Sequence, residues 1–353
     1  MAFVKTKKNN NDLYYYYVES FRRGDSVSQK NLKYLGKNKP TKEQLLELEI
    51  EFTEKKIQKL IRANLKYTPH KVHTNLLENA ETLKTKFFNK LNLLSKVGKD
   101  QLIKRFKTGY TYHSCSIEGN TLSRAEVDLI INKKQSIDGK MLLELLEVRN
   151  HQKAIEYMIY EIEDLNQDFI KRLHEELMNG TIEFKEFDDE FVEGGYRCDM
   201  RFIEGADFIP VPPLQIPYEM RDLLSFYKKH KYKIHPIELA AEFHLRFVVI
   251  HPFSDGNGRM ARLLMNFILD RSGFPMIDIS VKNREKYISA LDSGKVENLT
   301  NFIYNELEKY VSDLFGNLPD DKLESYFKQN NQNQSQNNQN NNQTQTQHGE
   351  LTQ

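Results

Sequence analysis

Residues 250–262 read Ile-His-Pro-Phe-Ser-Asp-Gly-Asn-Gly-Arg-Met-Ala-Arg, which puts a base, an acid, two glycines and two guanidiniums into one short turn. Gly256 and Gly258 permit positive φ and carry no side chain, so consecutive backbone N–H groups can point into one concavity. That concavity falls at the start of a helix predicted over 259–270, where free amides and the dipole favour an anion. Arg259 and Arg262 lie three residues apart and face the same end. Asp255 is a hard oxygen ligand beside that anion, the place where Mg²⁺ would be wanted. His251 is the group nearby that can take a proton near neutral pH. A base, a metal ligand, a nest of amides (with Asn257 among them) and two guanidiniums describe phosphoryl-type transfer, where positioning and charge stabilisation dominate.

Two rival readings of the stretch fail on context. Residues 256–261 fit G-x-G-x-x-A, with 247–250 as a strand and Asp278 at about the interval of a dinucleotide fold. Yet Leu239, Phe243, Phe247 and Ile250 share one helical face, and a dinucleotide turn leaves His251, Asp255 and both arginines unexplained. A metal-hydrolase reading would group His235, His244 and His251, but no H-E-x-x-H or His-Asp dipeptide occurs. His244 is expected to pack or hydrogen-bond.

The elements that must position these groups are mostly helical. Thr41 to Gln44 form a capping box that opens a helix over 41–66. Helical patterns follow over 74–96 and 99–118, with Gly98 as the break and Gly119 as the C-cap. Ser123 to Glu126 form a second capping box, and helical periodicity continues over 140–163, 168–178, 217–230, 236–250 and 298–314. Residues 194–213, punctuated by glycine and proline, suggest a short hairpin or flap.

The ends of the chain differ from its body. Residues 1–42 hold ten Lys/Arg against three Asp/Glu, and strands at 13–21 and 26–35 around Arg23-Gly24-Asp25 predict a basic β-hairpin rich in tyrosine. Such a hairpin could bind nucleic acid or protein, or its tyrosines could simply pack on the next helix. From about residue 329 the chain is Asn, Gln, Ser and Thr, which cannot bury enough surface to order itself. The expected divisions are 1–40 hairpin, 41–98 helical region, 99–314 main domain and 315–353 extension.

Across all 353 residues, 51 basic and 50 acidic side chains give a net charge of +1, against a polybasic nucleic-acid binder as the whole-protein reading. Cys115 and Cys198 have no CxxC partner, against a disulfide framework or a cysteine zinc site, and point to a reducing compartment. The start carries no charged-then-apolar leader, and no apolar run approaches the ~20 residues of a bilayer span. These features predict a cytoplasmic protein without membrane contact.

The 251–262 stretch resembles the HxFx(D/E)GNGRxxR signature of the Fic (Fido) family at every specified position. Ser114-Cys115-Ser116-Ile117-Glu118-Gly119 is similar to that family's (S/T)xxxE(G/N) inhibitory helix, and Gly195-Tyr196-Arg197 with Pro212-Pro213 to its flap. The resemblance implies a mainly α fold, a Fic-type helical core with a β-hairpin flap. It also implies transfer of AMP from ATP to a Ser, Thr or Tyr hydroxyl of a target protein, with self-modification and a homodimer as further features. In that role His251 deprotonates the hydroxyl, and Asp255 holds Mg²⁺. Gly256, Asn257 and Gly258 cradle phosphate oxygens, Arg259 and Arg262 neutralise the β/γ end, and Tyr287 lies on the adenine side. Glu118 competes with the γ-phosphate for Arg262, and the same glutamate could orient water for the reverse reaction, removal of AMP.

Overall fold

A computed structural model of the chain describes residues 2–9, 12–23, 26–45, 47–48, 51–52, 67, 70–184, 192–202 and 208–315. Gly24 and Asp25 of the expected turn, residues 203–207 of the expected flap and the Asn/Gln-rich stretch lie outside them. The chain divides into two compact units, Met1–Leu65 and Lys66–Gln353.

In the first unit the expected two-stranded hairpin is a three-stranded antiparallel sheet: β1 (Ala2–Asn9), β2 (Asp12–Arg23) and β3 (Ser26–Gly36), in the order β1-β2-β3. The added strand is the Lys- and Asn-containing start of the chain. It pairs Lys5 with Tyr16 and Lys7 with Tyr14 across the ladder, and its lysines blunt an edge that would otherwise invite pairing. Tyr17 and Val18, on opposite faces of β2, are both buried, with Tyr17 ringed against Phe52 at 5.6 Å and Lys33 bonded to Glu51 at 3.0 Å. The Thr41 box is formed reciprocally: Gln44 N–H donates to Thr41 Oγ1, and Thr41 N–H to Gln44 Oε1.

The second unit is helical. Its described helices are α1 (Thr74–Leu93), α2 (Lys96–Ile117), α3 (Arg124–Lys133), α4 (Leu142–Tyr160) and α5 (Gln167–Met178). They continue with α6 (Ile216–His230), α7 (Pro236–Ile250), α8 (Asn257–Arg271), α9 (Arg284–Asp292) and α10 (Val296–Phe315). Helix α9 is an element the periodicity did not announce. Gly98, expected as a break, sits in the first turn of α2, where its amide donates to the N-cap Ser95 hydroxyl at 3.2 Å. Gly119 has φ +100 just past that helix, the left-handed C-terminal residue its type suggested. Ser123 forms its capping box with Glu126.

Helices α7 and α8 are buried almost all round, carrying a few polar side chains inside with them. They pack on each other through the 251–256 turn; α10 and α6 cover α7, and α4 and α2 flank α8. A helix at 236–250 removes the strand that dinucleotide binding would need. Residues 192–202 and 208–212 run as turns, bends and irregular backbone rather than a strand ladder. Among the described residues, no helix is long and apolar enough to cross a membrane.

Candidate active site

The motif loop hangs between the two buried helices and is shaped by its own backbone. His251 closes α7 in the left-handed region, φ 49 and ψ 59, and Gly256 enters α8 at φ +75. A non-glycine residue in that region is uncommon, so the fold must hold it there. Arg197 does so. Its Nε donates to the His251 carbonyl at 2.7 Å, and its two Nη groups reach the carbonyls of Asp199, Val211 and Ile250. The Arg197 amide donates to Pro252 O, and Val211 N–H to Val249 O, so the expected flap is fastened to the end of α7. The cation also sits where that helix's dipole is negative.

Beneath the loop, Asn257 Oδ1 accepts from Phe253 N–H at 3.0 Å and its Nδ2 donates to Phe253 O at 2.7 Å, which closes the turn. His174 stacks on Phe253 with centroids 3.7 Å apart and rings nearly parallel. Its Nδ1 accepts from Gly194 N–H, so its proton is on Nε2, which meets the Asp255 carbonyl at 3.1 Å. Burial pushes His174 down to about 4, keeping it neutral.

The resulting surface is ready for an anion. Among the described residues no side chain caps α8, so its first amides and the positive end of the helix dipole are left for an anion. The His251 ring is half-buried; burial first, then the charge of Arg197, pushes it down to about 4. At neutral pH it is a free base. The Asp255 carboxylate takes the Gly256 N–H on Oδ1 and lies 3.4 Å from Arg259 on Oδ2. Arg259 is buried between Asp255 and Glu147, the latter 3.3 Å from Nη1. Burial works against its charge, but these carboxylates hold its pKa above the usual value.

Arg262 is wholly buried and held almost entirely by one element. Its Nε donates to Ser114 Oγ at 3.0 Å, and its Nη2 donates to Ser114 O at 2.9 Å and to Glu118 Oε1 at 2.7 Å. Burial again opposes the charge, and Glu118, with Tyr287 and Tyr110 beside it, nonetheless holds the pKa above the usual value. Glu118 ends α2, and the chain after it is tied to α4 by Asn120 and Thr121, which bond to Glu144 and Glu147. Tyr287 is buried rather than presented at a surface. Its ring lies 6.0 Å from the Arg262 guanidinium, and its hydroxyl meets His244 Nε2 at 2.8 Å. His244 therefore hydrogen-bonds in the core, as its position suggested.

The structure thus brings His251, Asp255, Gly256, Asn257, Gly258, Arg259, Arg262 and Glu118 to one end of α8, with Tyr287 below. Sequence reasoning missed three supports. Glu147 carries no local signal, His174 looks like any histidine on an apolar helix face, and Arg197 gives no sign that it spans four carbonyls.

Residues 164–269 match the Fic/DOC family. The chain is 34% identical over 199 residues to a protein adenylyltransferase Fic of Nematostella vectensis, covering 55% of this chain and 44% of that protein. It therefore spans less than half that relative's length. Among solved structures, Fic-1 (residues 134–508) from C. elegans superposes with a TM-score of 0.59 at 27% identity, over 69% of this chain and 71% of that one. A Fic domain containing signaling protein from Bacteroides thetaiotaomicron gives 0.59 at 26%, over 66% and 94%.

Proposed function

We propose that this chain, whose residues 164–269 match the Fic/DOC family, transfers AMP from ATP to a hydroxyl side chain of a target protein, with Glu118 holding the site off. The observation that carries the reading is the uncapped start of α8, set between a neutral His251 and an Arg262 already paired to Glu118. The adenylyltransferase name of the Nematostella relative favours transfer over removal of AMP.

The α8 amides and Arg259 hold the phosphates, while Arg262 is the partner for their far end. His251 takes the proton of the target hydroxyl as its oxygen attacks the α-phosphorus. A new O–P bond forms, the bond from the α-phosphorus to the bridging oxygen breaks, and pyrophosphate leaves with that electron pair. Asn257 keeps the turn closed, and Arg197 keeps His251 aimed. Tyr287 acts through Arg262, which it supports from below. Asp255, 30% exposed, presents a hard-oxygen carboxylate beside the start of α8, which suits a Mg²⁺ ion that keeps several waters. When bound, that ion offsets phosphate charge. Two free cysteines, one buried and one exposed, suit a reducing, cytoplasmic setting.

Glu118 competes with the γ-phosphate for Arg262 through a short charge-assisted bond. Incubation with ATP labelled at the α-phosphate is expected to mark protein, more strongly in Glu118→Gly and not at all in His251→Ala. Absence of label in every variant, with cell lysate supplied as target, overturns the reading.

A further inference from the structure

We propose that the face of the β1–β3 sheet bearing Tyr14, Tyr16 and Tyr34 binds single-stranded nucleic acid, with bases stacked on the rings and phosphates on the lysines. The ladder register sets this face: Lys5, Tyr16 and Tyr34 stand opposite one another in one row, and Lys7 and Tyr14 in the next. Residues directly opposite in a ladder share a face. The rings form one patch, with Tyr16 and Tyr34 centroids 5.2 Å apart and Tyr14 and Tyr34 6.4 Å apart. Lys7 Nζ lies 5.1 Å from the Tyr16 ring and Lys37 Nζ 5.5 Å from the Tyr14 ring. Tyr34 is 53% exposed.

This is not how a sheet prepares a face for a hydrophobic core. Beyond Tyr16 the same face buries Val18, and the opposite face packs Tyr17 against Phe52, but the patch of Tyr14, Tyr16 and Tyr34 stays open, Tyr34 most of all. The tyrosine face instead alternates flat aromatic surface with ammonium groups, in a segment of ten basic and three acidic residues among the first 42. Every base has a π-face, and the phosphodiester carries the complementary charge; together they are the two contacts such a surface can make. Bases stacked inside a duplex cannot reach the rings, so the surface selects unpaired strands. The site lies in the unit that does not contain His251, and the proposal stands apart from AMP transfer.

The test is fluorescence anisotropy of the full chain with a labelled oligothymidylate of about 15 nucleotides, titrated over a range of salt. Binding is expected to weaken linearly in log salt. Tyr34→Ala and Tyr16→Ala each weaken it about tenfold with the slope retained. Tyr34→Phe, which keeps the ring, retains affinity and separates stacking from misfolding. Lys7→Ala with Lys37→Ala lowers the slope by about one. AMP transfer is expected to be unchanged in all of them. No binding at about 50 mM salt, equal binding of a duplex or of polyglutamate, or an affinity indifferent to Tyr34→Ala overturns the proposal.

Discussion

The carboxylate of Glu118 sits in the space that a side chain on Gly258 would occupy. A Cβ at Gly258 would stand 2.3 Å from Glu118 Oε1 and 3.2 Å from Arg262 Nη1. The motif's second glycine is therefore the seat of the Glu118–Arg262 pair as well as part of the exposed helix start. Gly258→Ala must push the carboxylate aside, at an expected cost of about 1–2 kcal/mol in urea unfolding. In a Glu118→Gly background the obstacle is gone, and most of that cost should vanish. A double-mutant cycle reads the difference directly; equal costs in both backgrounds would deny the contact any energetic weight.

Arg197 holds His251 in a backbone conformation it would not adopt alone. A lysine is a compact charge without the planar fork, and cannot span the carbonyls of His251, Asp199, Val211 and Ile250 together. Arg197→Lys is expected to destabilise by about 2 kcal/mol, since buried carbonyls lose their donors. Once His251 is free to turn, kcat for AMP transfer should fall further than KM for ATP rises. Steady-state kinetics and thermal melts check the two halves separately.

Acid stability should reflect two opposing groups of side chains. His174 and His251 are pushed down to about 4 and His244 to about 3 by burial, so they stay neutral while the unfolded chain takes up protons near 6.5. Their contribution is complete above about pH 6.5 and is lost as pH falls towards 4. Asp278 behaves oppositely. Burial pushes its carboxyl up to about 8, and its Oδ1 has no hydrogen-bond partner among the described residues, so the folded state loses ground as pH rises from about 4 to 8. Asp278→Asn removes that second slope. The variant is expected to exceed the wild type by on the order of 2 kcal/mol at pH 7 and to lose stability more steeply towards pH 5. Urea midpoints at pH 5, 6 and 7 measure it, and a less stable variant at pH 7 would contradict it.

What could be read from the chain beforehand divides along contact distance. Helices α7 and α8 and the turn between them were legible, because periodicity, glycine placement and short spacing are local properties; the Glu118 position came only with the family resemblance. His174, Glu147 and Arg197 were not, because each acquires its role by meeting the loop from a separate element. The first strand was not among the expected elements, since nothing in its lysines and asparagines declares a strand until Tyr14 and Tyr16 lie opposite. Tyr287 shows the same limit. Its type was noticed, but its burial under Arg262 depends on how α9 docks.

Three bonds fasten α2 to Arg262, and only one of them involves Glu118. The Ser114 hydroxyl and carbonyl keep their hold when the carboxylate turns away. Moving Glu118, whose side chain is 38% exposed, takes a rotation about its own χ angles on the picosecond-to-nanosecond scale of exposed rotamers. Freeing the whole helix would break the buried Ser114 bonds as well. The occupancy of Arg262 can thus switch without any slow rearrangement of the fold, leaving the relative concentrations and affinities of the competing anions to set how often the site is open.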